Sequence, residues 1–254
     1  MVLKEGRVMV LTKKNFVRIN YVGRVKESGA VFDTTWEDVA KDGGIYDEKI
    51  QFKASPIVVG ANHVIPGLDE ALVGMEVGEK KAVMIPYEKG YGPRDSKLVK
   101  VVPIKDFKKQ GMRPVPGMRI EADGRVGRVQ SVSGGRVRVD FNYELAGKAL
   151  EYEVSVKEKV NKLEEKIRLL LELHMPFADP NDHEVVLKNK VVVIRLPDVV
   201  KLKKESIMSK HYVARDAFKF LVLDEVIFEE AFTKPKSSKK AGKTTSSSKR
   251  QAAG

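Results

Sequence analysis

The sequence predicts an α+β protein: a largely antiparallel sheet with one short helix, a small β-rich segment within it, and a C-terminal α/β region. Three observations lead there. Apolar and polar residues alternate with period two in short segments bounded by turn residues, most clearly at 15–25, 80–87 and 149–156. Helical periodicity is confined to 64–75 until it takes over beyond residue 157. Between them, residues 94–139 change in charge, with 12 basic and 4 acidic side chains against 13 of each in residues 1–93.

Taken in order, Phe16, Val17, Ile19, Tyr21 and Val25 define the first strand, Ser28-Gly29 a turn, and Val31-Phe32-Asp33-Thr34 the second strand. Residues 36–50 are polar and glycine-containing and read as a loop with at most one helical turn. A short strand at 55–59 ends at Gly60. Residues 64–75 read as a helix, with Pro66 in a first-turn position and Leu68, Leu72 and Met75 on one face. A strand follows at 80–87, then the tight loop Gly90-Tyr91-Gly92-Pro93. In the next segment, 98–102 and 117–122 read as strands. Residues 126–132 and 136–141 flank Gly134-Gly135 as a hairpin. After the strand at 149–156 comes a helical stripe of Val160, Leu163, Ile167, Leu170, Leu171 and His174. Strands at 185–187 and 191–196, a helix at 205–221 with Ile207, Ala214, Ala217, Phe218 and Leu221 on its apolar face, and a strand at 226–232 complete the pattern. Residues 233–254 hold 7 basic and no acidic side chains among Ser, Thr, Gly and Ala, and read as a disordered tail.

Composition narrows the function classes. The 254 residues suit roughly two domains of ordinary size. With 42% hydrophobic residues the chain can bury a core, and no apolar run approaches the ~20 residues of a membrane helix. The start, with Lys4, Glu5 and Arg7, lacks the apolar core of a secretion signal, so the expected address is cytoplasmic without membrane contact. The absence of cysteine excludes disulfides, thiolate metal sites and cysteine nucleophiles. The net charge of +12 suggests a nucleic-acid partner until it is resolved by segment: it lies in 94–139 and the tail.

Several chemical motifs fail. Gly242-Lys243-Thr244 lacks the earlier glycine of a phosphate loop, with Ser237 in its place. His63, His174, His183 and His211 show no metal-ligand spacing, so no metal and no cofactor is expected. No nucleophile elbow is present.

One ordered set of motifs remains. It runs through Tyr21-Val22-Gly23, Phe32-Asp33-Thr34, Val59-Gly60, Val64-Ile65-Pro66-Gly67-Leu68-Asp69, Met75-Glu76-Val77-Gly78-Glu79 and Tyr91-Gly92. It closes with Leu145-Ala146-Gly147, Tyr152 and Val154. This set resembles the FK506-binding (FKBP) type of peptidyl-prolyl cis-trans isomerase. The resemblance implies an antiparallel half-barrel sheet wrapped on the short helix. It also implies a proline pocket of Tyr21, Phe32, Asp33, Val64, Ile65, Leu68, Tyr91 and Tyr152. Phe32, Tyr21 and Tyr152 would be walls, Val64 and Ile65 the rim, and Ile65 a backbone hydrogen-bonding group. Asp33 and Tyr91 would be polar contacts. Leu68 stands where the family commonly has a tryptophan floor, and Trp36 is not that floor. Tyr143 stands where inserted-domain members often have a histidine.

Residues 94–139 fall in the family's flap and are similar to the insert-in-flap domain of SlyD-type and archaeal members. The expected organisation is an isomerase domain at 1–93 plus 140–156, an insert at 94–139, a C-terminal α+β domain at 157–232 and a tail at 233–254. The resemblance implies that unfolded or nascent polypeptides with X–Pro bonds are the partners and that the insert holds them as a chaperone. Val99, Val101, Ile104, Phe107 and Met112 are its candidate contacts, with an internal core as their alternative use. For the C-terminal domain it implies a homodimer or scaffold role. The basic tail is expected to be solvated, with weak ribosome or nucleic-acid contact as the alternative. Two other readings stay open: a chaperone or scaffold with a vestigial pocket, and a basic RNA- or ribosome-associated protein.

Overall fold

The computed structural model describes residues 9–122 and 124–232. The tail expectation lies outside the described residues.

The chain opens with β1 (Phe16–Val25), which turns at Gly29 into β2 (Val31–Thr34). The polar stretch that follows forms one short helix, α1 (Glu37–Asp42), before β3 (Ser55–Val58). The helix α2 (Pro66–Leu72) has Pro66 in its first turn and buries Leu68 and Leu72. Next come β4 (Lys80–Ile85) and a 3-10 turn (Tyr87–Lys89).

The segment after Tyr91-Gly92 contains β5 (Val99–Pro103), α3 (Ile104–Lys109), β6 (Arg119–Ala122), β7 (Arg125–Ser133) and β8 (Arg136–Asp140). The sequence pattern misses α3, a two-turn piece between Pro103 and Gly111. The hairpin at Gly134-Gly135 forms as expected, with both glycines at positive φ.

The chain then returns through β9 (Leu150–Val160), α4 (Leu163–His174), β10 (Glu184–Lys188) and β11 (Val191–Arg195). It ends in α5 (Asp198–Lys201), α6 (Ser206–Phe220) and β12 (Glu225–Glu229). Three expectations are corrected here. Val160 closes β9 opposite Phe16 and does not begin the helical stripe. The buried face of α6 is Ser206, Ser209, Val213, Asp216 and Ala217, while Ile207 and Phe218 are exposed. The last strand stops at Glu229 and leaves Phe232 in solvent.

Three sheets result among the described residues. The first is five-stranded and antiparallel, in the order β2-β1-β9-β4 with β3 also on β1. It packs Ile19, Val154 and Ile85 on Leu68 and Leu72 of α2. The four-stranded sheet β5-β8-β7-β6 has its own small core of Phe107, Ile120, Val129, Val137 and Val139. The sheet β10-β11-β12 combines an antiparallel and a parallel pairing. Its core is continuous with the far end of the first sheet: Phe16, Val58 and Val160 are buried among Ile167, Leu170, Val192 and Val213. On α4 the buried carboxylate of Glu172 is paired with Lys53 at 2.7 Å and with Arg18 of β1.

Candidate active site

β1 and β9 run antiparallel, with Tyr21 paired to Val154 and Gly23 to Tyr152. The Tyr21 and Tyr152 rings meet at 5.8 Å between centroids. β2 brings Phe32 across the same face, edge-on to Tyr152 at 5.7 Å and to Tyr91 at 6.3 Å. These tilted and edge-to-face arrangements are the ones ring quadrupoles favour. Gly23 is required for this: a Cβ there would lie 2.8 Å from the Phe32 ring. Gly67 plays the same part under α2, where a Cβ would come within 2.5 Å of Ile85.

All eight candidate residues come together. Leu68 and Tyr152 lie in the core cluster, and Tyr21, Phe32, Val64, Ile65 and Tyr91 pack against it. Asp33 joins them by accepting a hydrogen bond from the Tyr21 hydroxyl at 2.9 Å. Leu68 is fully buried, whereas Trp36 is half exposed at the start of α1. The Ile65 carbonyl is taken by the Leu68 and Asp69 amides at the start of α2. Two supports lay outside the sequence reading. The buried carboxylate of Asp69 accepts from the Gly60 and Asn62 amides and so fixes the loop before α2. Thr35 accepts from the Tyr21 amide at 2.9 Å. The exposed Tyr143 packs its ring 5.0 Å from that of Tyr91.

The electrostatics are those of a partly buried aromatic cluster with one carboxylate. Burial first, then the neighbouring Asp33 carboxylate, pushes the Tyr21 phenol far above its ordinary value. Burial does the same to Tyr152 and, less strongly, to Tyr91. All three phenols are therefore protonated donors at neutral pH. Burial also raises the Asp33 carboxyl, against the lowering effect of its bonds from Tyr21 and the Thr34 backbone. Asp33 and Tyr21 also face a cleft of about 490 Å³ that reaches Glu172 and Leu173 on α4.

The expected chaperone contacts divide. Val99 and Val101 sit on β5, and Val101 is 60% exposed. Phe107 is instead a core residue of the insert, with Ile104 and Met112 packed against it. A module this small needs those three inside, which is the internal-core use that the sequence left open for them.

Among the described residues, one group has the make-up of a cation site. The ligand atoms of His63, His174 and Asp216 lie within 4.8 Å of one another, although sequence spacing separates them widely. Their hydrogen bonds favour a proton linkage. The Val58 amide donates to His63 Nδ1 at 3.2 Å, so Nε2 carries the ring proton and donates to Asp216 Oδ2 at 3.0 Å. A cation on Nε2 would force that proton to Nδ1, against the Val58 N–H.

Comparison with known proteins bears on the family. A family model described as FKBP-type peptidyl-prolyl cis-trans isomerase matches residues 9–110. One described as FKBP26, IF domain, matches residues 100–145, and one described as FKBP26 C-terminal matches residues 163–233. The short-type peptidyl-prolyl cis-trans isomerase of Methanocaldococcus jannaschii is 38% identical over 151 residues, 59% of this chain and 95% of that protein. The isomerase SlyD of Haemophilus influenzae is 34% identical over 135 residues, 51% of this chain and 70% of its own. SlyD of Treponema pallidum is 37% identical over 119 residues, 45% of this chain and 67% of its own. With a relative 38% identical and covered over 95% of its length, the chain belongs to the FKBP-type peptidyl-prolyl cis-trans isomerases, in the branch whose flap carries an inserted domain.

Proposed function

We propose that the pocket of Tyr21, Phe32, Asp33, Val64, Ile65, Leu68, Tyr91 and Tyr152 receives the prolyl ring of an X–Pro bond, and that the insert holds the same unfolded chain. The observation that carries the first part is the convergence of three protonated phenols and Phe32 over the buried Leu68. Rotation about X–Pro needs no proton transfer, metal or nucleophile. Its barrier is about 18–20 kcal/mol because twisting destroys amide resonance. The twisted amide is less dipolar than the planar one, so a pocket that strips water stabilises it relative to the ground state.

In this reading Phe32, Tyr21 and Tyr152 enclose the ring, and Leu68 forms a floor smaller than a tryptophan would. The Tyr91 hydroxyl donates to a substrate carbonyl. Asp33, oriented by Tyr21, faces the prolyl carbonyl, and its negative charge disfavours the planar amide's dipole. The Ile65 amide supplies a backbone donor at the rim.

Holding of unfolded chains is assigned to the open face of the insert sheet, where Val101 and Val126 are exposed. The test is catalysed cis–trans exchange of an X–Pro tetrapeptide, with suppression of aggregation of a denatured protein measured in parallel. Tetrapeptide exchange at the uncatalysed rate would end the pocket assignment. Loss of both activities on deleting residues 94–139 would end the division of labour.

A further inference from the structure

The insert and the isomerase unit meet in a cleft of about 820 Å³ that the isomerase chemistry does not use. Arg94, Arg119, Arg125 and Arg128 line it, with Lys148 on the returning loop. Two carboxylates share the space, Asp140 and Glu144. Both are already seated on guanidinium groups. Asp140 accepts from Arg94 Nε at 3.0 Å, and Glu144 accepts from Arg128 at 2.9 Å with Arg119 3.6 Å away. Among the described residues, the lining thus holds five cations against two anions. Its arginines continue onto the open sheet face, where Arg138 and Arg136 on β8 stand across from Val101 and Pro103 of β5. The cleft's other end is Tyr143, whose ring touches that of Tyr91 in the proline pocket.

We propose that this cleft is a subsite for carboxylate side chains of the polypeptide substrate, so that acidic segments a few residues from an X–Pro bond are preferred. The inference rests on the pocket reading above. Three features select the ligand. Arginine pairs with carboxylates through planar, charge-assisted hydrogen bonds, as Asp140 and Glu144 already demonstrate in place. The resident carboxylates break the positive charge into separate points, which suits single acidic side chains and repels a continuous phosphate backbone. The exposed Val126 and Tyr143 offer apolar contact beside the cations, as an unfolded protein segment requires. An extended chain leaving the pocket past Tyr91 and Tyr143 enters the cleft directly.

The test uses the full chain and three peptides that share one X–Pro core. One is a bare tetrapeptide, one carries Glu residues on both flanks, and one carries Gln in their place. The Glu peptide should show a kcat/KM at least several-fold above the Gln peptide. That advantage should shrink in 0.5 M salt and disappear in the double variant R119Q/R125Q, while tetrapeptide turnover stays unchanged. Equal handling of the Glu and Gln peptides, with the tetrapeptide still turned over, would overturn the subsite and leave the pocket intact. Absence of tetrapeptide turnover would instead remove the pocket reading and the subsite with it. A single-stranded oligonucleotide that binds more tightly than the Glu peptide, and loses that binding in R119Q/R125Q, would also overturn it in favour of nucleic acid.

Discussion

His63, in the loop ahead of α2, donates a hydrogen bond across 3.0 Å to Asp216 on α6, joining residues 153 positions apart in sequence. Asp216 is almost fully buried, and the same oxygen, Oδ2, lies 2.8 Å from His174 Nε2. Val64 and Ile65 of the pocket rim follow His63 directly, so a carboxylate in the C-terminal unit braces the loop that carries them.

Removing that carboxylate leaves two ring donors without an acceptor. A hydrogen bond to a charged group contributes about 1.5–3 kcal/mol. D216A is therefore expected to lose about 3 kcal/mol or more in denaturant unfolding, and kcat/KM on a tetrapeptide should fall with it. An unchanged unfolding midpoint would show that the linkage carries no stability.

The same cluster sets a pH dependence. Burial holds His174 below its ordinary value, helped by His63 and Arg215 and opposed by the bond to Asp216. Tyr212, whose ring lies 5.8 Å from that of His174, is the other titratable neighbour on α6. Burial depresses His183 as well. The unfolded chain therefore takes up these protons first as pH falls. Stability is fully present above the ordinary histidine value of about 6.5 and declines below it. Melting temperature should drop from pH 7.5 to pH 5, and the drop should be smaller in H174N, with His183 supplying part of the remainder. Equal drops in the two proteins would assign the effect elsewhere.

Within the proposed pocket, D33A removes the acceptor of the Tyr21 hydroxyl, and Y91F removes the hydroxyl proposed to donate to a substrate carbonyl. One hydrogen bond made in the transition state is worth on the order of 1 kcal/mol, or about fivefold in rate. Each variant should slow tetrapeptide exchange by roughly that factor and leave aggregation suppression in place. G23A should lose more, because the Phe32 ring must move to admit the methyl group.

In the insert, position decides the outcome. V101S alters an exposed rung and should weaken holding of a denatured protein without changing tetrapeptide turnover. F107A empties the insert's small core at a cost of about 3–5 kcal/mol and should unfold that module. If the two variants behave alike in proteolysis, the separation of face from core is wrong.

The strands were legible because one face of each is buried, which stamps a period of two on β1, β4 and β9. The faces of α6 were not. Its buried side sets Ser206, Ser209 and Asp216 beside Val213 and Ala217, and the Asp216 carboxylate is held there by hydrogen bonds that hydrophobic periodicity does not register. Ile207 and Phe218 carry the apolar signal and stand in solvent. The aromatic cluster could be read because its residues stand in the order of the family that the sequence resembles. The His63–Asp216 linkage and the arginine cleft could not, since each arises only where distant segments meet.

The shared core at the far end of β1 and β9 has a thermodynamic consequence. Phe16 and Val160 cannot leave the C-terminal cluster without pulling apart the strands that carry Tyr21 and Tyr152. The isomerase and C-terminal units are therefore one cooperative unit, and their amides should exchange with deuterium through a common opening. The insert, whose core is its own, should exchange independently and at lower free energy.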